Sequence, residues 1–176
     1  MNDRDYLLQA VHLARPYALQ VAPKPAVGAI LVKDGKVIAK AAYTNPRGPH
    51  AEVQALKQAG SRADGATLYV SLEPCTNWKG KLTGSCATAI ARSKIARVVI
   101  GMRDPRPEVN GKGIAILRRN GKKVMLINMA ETRKLFAPYL LWLKRGQESY
   151  RKPWVIMKTA MSIDGKIAAI DGKCVL

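Results

Sequence analysis

The sequence predicts an α/β fold, a three-layer mixed β-sheet covered by helices. Three observations carry that expectation. Asp34-Gly35 sits between two runs of strand-forming residues, a strong hairpin signal. Strand-like and helix-like segments alternate from residue 27 to residue 145. The chain has 176 residues and is 48% hydrophobic, enough to enclose a core of ordinary size.

The elements follow in order. Residues 3–19 read as a helix, because Leu7, Val11, Ala14 and Ala18 recur at intervals of three and four and Asn2 or Asp3 can cap the start. Pro16 kinks that helix or ends it early. Ala22-Pro23-Lys24-Pro25 reads as an extended loop, since each proline biases its predecessor away from helical geometry. Val27–Val32 and Lys36–Tyr43 read as the two strands of the hairpin, and residues 45–49 as a turn-rich loop. His50–Ala59 reads as a helix stopped by Gly60, and Ala66–Leu72 as a strand. Ser85–Ser93 reads as a helix with a serine cap, and Arg97–Gly101 as a strand. Gly113–Asn120 reads as a helix ended by Gly121, and Lys123–Ile127 as a strand. Ala130–Lys144 reads as a helix with Leu135, Tyr139 and Trp142 on one face. After about residue 150 the pattern changes: Pro153–Thr159 could form a strand, but no partner elements follow.

Composition narrows the function classes. No apolar run approaches the roughly 20 residues of a membrane helix, and the charged start Met1–Asp5 leads into no export signal. Three cysteines are too few and too odd for a disulfide scaffold, so a cytoplasmic, reducing setting or metal binding is expected. Thirty basic residues stand against twelve acidic ones, a net charge of +18. Such a field attracts anions such as phosphorylated metabolites or nucleic acid, although a solvated basic surface explains it as well.

Three short segments carry the chemistry: His50-Ala51-Glu52, Pro74-Cys75 and Cys86. One histidine and two cysteines suit a tetrahedral zinc site with one open position. His50 and Cys86 each fall at a predicted helix start, where free backbone N–H groups favour a thiolate. Glu52, two residues past His50, can lie beside the metal without ligating it and move a proton there. The ordered set His-x-Glu, Pro-Cys, Cys is the signature of zinc-dependent nucleobase deaminases. Each piece alone is weak, and buried structural thiols and a capping histidine are the competing explanation. His12 and Cys174 have no partner motif.

The chain resembles the N-terminal deaminase domain of the bifunctional riboflavin-biosynthesis deaminase/reductase family, which has a cytidine-deaminase-like fold. Pro25–Ala29 and Val32–Gly35 resemble the family's opening hairpin. Gly48–Val53 resembles its zinc-histidine helix, and Gly65–Val70 with Leu72–Cys75 its third strand and second ligand. Asp104-Pro105 and Gly111–Ile114 resemble the loop after its fourth strand. Arg151–Trp154, Lys158 and Ser162–Ala168 resemble the start of its reductase domain. The resemblance implies a zinc-dependent deaminase domain over 1–148 and a remnant or start of a reductase-like domain over 149–176, without reductase activity in this chain. It implies zinc held by His50, Cys75 and Cys86, Glu52 as the acid/base, and hydrolytic deamination of a phosphoribosyl-aminopyrimidine. A homo-oligomer and a separate reductase partner are implied as well.

The chain departs from the family at positions where its members hold substrate. The family's Pro-Asn-Pro is Pro23-Lys24-Pro25, and its Asp-Pro-Asn-Pro is Asp104-Pro105-Arg106-Pro107. Tyr43 and Asn77 stand in place of histidines. Ten residues, Thr76 to Ser85, separate the cysteines, and Lys79 and Lys81 lie among them. Lys24, Tyr43, Asn77, Lys79, Lys81, Asp104 and Arg106 are therefore the expected substrate-binding set, with the cations suited to a ribose phosphate. A deaminase of the same fold acting on another nucleobase, a nucleotide or a tRNA is the alternative. The net charge favours a nucleic-acid substrate, but such enzymes usually carry Cys-x-x-Cys. A non-enzymatic interaction module is the third reading.

Overall fold

The computed structural model describes residues 1–78, 83–145, 155, 157, 161 and 165. Lys79 and Lys81 lie outside the described residues, as does nearly all of the expected strand at 153–159 and of the segment 149–176.

Five strands form one sheet in the order β2-β1-β3-β4-β5, comprising β1 (Gly28–Lys33), β2 (Lys36–Ala42), β3 (Thr67–Val70), β4 (Arg97–Ile100) and β5 (Lys123–Leu126). β1 pairs antiparallel with β2 and with β3, whereas β3–β4 and β4–β5 are parallel. The hairpin closes as the sequence predicts. Asp34 and Gly35 have φ of 50° and 72°, the left-handed pair that a two-residue turn needs to follow the strand twist.

The helices are α1 (Asp3–Ala14), α2 (Ala51–Ala59), α3 (Cys86–Arg92), α4 (Lys112–Arg119) and α5 (Ala130–Arg145). Inward residues alternate along each strand. Ile30, Val32, Tyr69 and Val99 meet Tyr6, Leu7 and Ala10 of α1 on one face. Ala29, Leu31, Leu68, Val70, Val98 and Ile100 meet Ala55, Ile90, Ile114 and Leu117 of α2, α3 and α4 on the other. The crossovers β3-α3-β4 and β4-α4-β5 give the sheet its parallel half. No helix among the described residues is long and apolar enough to cross a membrane.

Several expectations shift in detail. The first helix ends at Ala14, and Pro16 opens a short 3-10 turn over Arg15–Tyr17. Asn2 forms a capping box with Asp5 at its start. Of the extended loop expected at residues 22–25, Ala22 and Pro23 instead complete a run of turns over 18–23, with the Lys24 amide bonded to the Val21 carbonyl. Gly60 ends α2 and also opens a 3-10 turn over Gly60–Ala63. On α5 the residues that enter the core are Thr132, Phe136 and Tyr139, while Trp142 is 43% exposed. A helix advances about 100° per residue, so Trp142 sits at the edge of the Phe136–Tyr139 stripe.

Candidate metal centre and its pocket

The site lies past the C-terminal ends of β3 and β4, the usual place for ligands in a sheet with parallel strands. His50 is the N-cap residue of α2 but makes no side-chain cap. Its ring turns instead toward two sulfurs: Nδ1 lies 3.4 Å from Cys75 Sγ and 3.3 Å from Cys86 Sγ. The three ligand atoms all lie within 4.8 Å of one another. Zinc bonds of about 2.0–2.1 Å to nitrogen and 2.3 Å to sulfur, at tetrahedral angles, put nitrogen and sulfur about 3.5 Å apart. His50, Cys75 and Cys86 therefore fit the metal that the sequence predicts.

Local structure holds each ligand. Ser85 caps α3 by accepting from the Thr88 amide (3.0 Å), and its own hydroxyl donates to the Cys75 carbonyl (3.1 Å). The Ala87 amide donates to that same carbonyl at 3.0 Å, so Cys75 is fastened to the start of the helix that carries Cys86. Gly113 lets α4 come up against the preceding residue, since a Cβ there would stand 2.1 Å from the Pro74 carbonyl oxygen. Thr83 Oγ1 lies 3.3 Å from His50 Nε2.

Glu73, 3% exposed, fixes the neighbouring loop. Its carboxylate accepts the backbone N–H groups of Asp104 (3.3 Å), Gly111 (3.0 Å) and Ile114 (3.2 Å). Two of those donors belong to the start of α4, whose helix dipole favours an anion.

Glu52 lies in the first turn of α2 and is 3% exposed. Its Oε2 is buried and makes no hydrogen bond. A buried carboxylate oxygen without a donor is costly unless a group outside the chain supplies one. Burial pushes its carboxyl above the usual range, and charge on Cys75 adds to the rise.

These side chains open into a cavity of about 380 Å³. Lys24, Tyr43, Asp104 and Arg106 line it together with His50, Glu52 and Cys75. Lys24 Nζ donates to the Pro46 carbonyl (2.5 Å) and the Tyr43 hydroxyl (3.3 Å), and that hydroxyl donates to the same carbonyl (2.8 Å). The Tyr43 ring packs edge-on against His50 at 4.9 Å. Asp104 Oδ1 accepts from the Tyr139 hydroxyl (2.9 Å) and the Arg106 amide (3.0 Å). Burial raises the Asp104 carboxyl, and the hydrogen bond from Arg106 opposes that rise. Asn77 is exposed and does not line the cavity, so the structure does not bring it to the other expected substrate residues.

Five residues were not legible as parts of the site: Glu73, Trp78, Thr83, Tyr139 and Trp142. All five line the cavity. Tyr139 and Trp142 are three apart on α5, a spacing that also serves a core face. Thr83 stands three residues before Cys86, and Glu73 two before Cys75, but neither spacing by itself signals a contact.

The profile of the cytidine and deoxycytidylate deaminase zinc-binding region matches residues 1–102. The riboflavin biosynthesis protein RibD of Aquifex aeolicus is 40% identical over 171 residues, 97% of this chain and 46% of that protein. RibD of Bacillus amyloliquefaciens is 41% identical over 170 residues, 95% of this chain and 43% of that protein. The chain thus spans about half the length of the curated relatives it matches. Among solved structures, the Thermotoga maritima diaminohydroxyphosphoribosylaminopyrimidine deaminase/5-amino-6-(5-phosphoribosylamino)uracil reductase superposes with a TM-score of 0.79 at 36% identity. That match covers 98% of this chain and 48% of the other.

Proposed function

The chain belongs to the cytidine and deoxycytidylate deaminase zinc-binding family, and from that membership we propose that it deaminates a phosphoribosyl-aminopyrimidine of riboflavin biosynthesis by hydrolysis. The observation that carries the mechanism is the buried, unpartnered Glu52 Oε2 beside the His50–Cys75–Cys86 trio. Zinc bound to those three residues supplies Lewis acidity, which brings the pKa of water down toward about 7.

The chain's own residues do the rest. Glu52 takes a proton from the attacking water and delivers it to the exocyclic nitrogen, and the second water proton ends on the ring nitrogen beside the new carbonyl. The carbon–nitrogen bond breaks as a carbonyl forms, so one water enters and one ammonia leaves. Burial raises the Glu52 carboxyl, which favours its holding the proton between the two halves of that transfer. Asp104, fixed through Oδ1, offers an acceptor to ring or amino N–H groups of the substrate. Lys24, Tyr43 and Arg106 complete the wall. The relatives named for riboflavin biosynthesis support this substrate class. A homo-oligomeric, cytoplasmic enzyme is part of the same proposal.

The test is zinc content and ammonia release, measured together on protein supplied with the riboflavin-pathway diaminopyrimidine phosphate. About one zinc per chain with turnover is expected. Zinc without turnover would keep the deaminase chemistry and move the substrate to another nucleobase, nucleotide or tRNA.

A further inference from the structure

Arg106 is half-buried in the cavity wall, and its guanidinium is surrounded by three aromatic rings. Its Cζ lies 5.2 Å from the ring centre of Trp78, 5.7 Å from Trp142 and 5.9 Å from Tyr139. All three separations fall within cation–π range. Tyr139 and Trp142 are themselves stacked, with an angle of 19° between their planes. Among the described residues the ion pairs are Arg4–Glu131 and Arg97–Asp3, and Arg106 belongs to neither.

Of the carboxylates nearby, Glu73 is engaged through both oxygens and Asp104 through Oδ1 alone. Glu73 accepts three backbone amides, and Asp104 Oδ1 accepts the Tyr139 hydroxyl and the backbone of Arg106 itself. The aromatic rings thus hold the guanidinium plane, one of its N–H groups also meets the Tyr139 hydroxyl, and the rest of the fork is left for a ligand. A planar fork of this kind matches the paired oxygens of a phosphate. Lys24, the other Lys or Arg among the described residues that line the cavity, differs in kind. Two of the three N–H donors of its ammonium go to the Pro46 carbonyl and the Tyr43 hydroxyl, which tie the 23–25 segment to the 44–49 loop.

Given the proposed phosphorylated substrate, on which this rests, we infer that Arg106 is the specificity-determining residue that reads the substrate's phosphate. Trp78, Tyr139 and Trp142 are the platform that aims it, and Lys24 is a loop staple. Helix α5 is therefore part of the substrate site.

The test compares kcat/KM for the diaminopyrimidine phosphate and its dephosphorylated nucleoside on zinc-loaded protein. Arg106→Ala is expected to cut the preference for the phosphorylated form by about 10–100-fold, through KM, the worth of a lost charge-assisted hydrogen bond. Trp142→Leu is expected to lower that preference several-fold, with Trp142→Phe restoring it. Lys24→Met is expected to affect both substrates by the same factor. Equal losses on both substrates in Arg106→Ala, or loss of the preference in Lys24→Met alone, would overturn the assignment. Calorimetric titration with ribose 5-phosphate separates this claim from the proposed activity. Wild-type protein should bind it at least tenfold more tightly than Arg106→Ala, whichever base is the substrate, and equal affinities would overturn the inference even if turnover is seen.

Discussion

Thr83 Oγ1 stands 3.3 Å from Nε2 of His50, the ring nitrogen that faces away from the two sulfurs. If Nε2 carries the proton and donates it to Thr83, the lone pair of Nδ1 is left for the metal. Such outer partners are worth about 10–100-fold in metal affinity. Thr83→Val is expected to weaken zinc binding by that factor in a chelator competition, and Thr83→Ser to stay close to wild type.

Glu52→Gln keeps the volume and burial of the side chain but cannot take a proton. The variant is expected to bind zinc and melt near the wild-type temperature, and to lose at least about 10²-fold in rate. Ammonia release at the wild-type rate would rule out the proton-transfer role.

Glu73 is a test of architecture. Glu73→Gln exchanges one acceptor for an amide NH2, which must face a backbone N–H group. A buried donor left without an acceptor costs about 1–3 kcal/mol, and the lost charge adds to it. Denaturant unfolding should show a destabilisation of about 3 kcal/mol. KM should rise as well, because Asp104 and Arg106 ride on the loop that Glu73 holds.

Alkaline pH tests the seam between α1 and the sheet. Tyr69 donates its hydroxyl hydrogen to Asp3 (2.8 Å), and burial together with that bond pushes its pKa up to about 12. The unfolded tyrosine loses its proton near pH 10. The folded chain holds the proton more tightly, so this contribution is fully present below pH 10 and is lost as pH rises toward 12. Stability measured across pH 10–12 should fall in wild type, and Tyr69→Phe should remove that part of the slope.

Most of the fold was legible in the sequence, because its signals are local. The left-handed pair Asp34-Gly35, the Ser85 cap and the glycine stops each act within a few residues, and the structure places an element at each. The metal trio was legible for a related reason, since its three pieces fall on the ends of separately predicted elements. What stayed hidden depends on contacts between distant segments. Nothing near Glu73 in sequence says that its carboxylate will meet the amide of Ile114, 41 residues on. The same holds for Tyr139, whose ring reads as core and whose hydroxyl reaches back 35 residues to Asp104. For Trp142 the sequence predicts only a helix face shared with Leu135 and Tyr139, because helical spacing gives a direction around the axis but not which neighbour lies there.

The two outer strands of the sheet bear on how copies of this chain can meet. β2 exposes Lys36 and Lys40, and β5 exposes Lys123. A second copy adding its own outer strand would gather these ammonium groups at one seam, where the like charges repel. Open-ended, fibre-like growth along the sheet is disfavoured by the same lysines. Strand-to-strand joining should therefore become easier only at salt high enough to screen the repulsion.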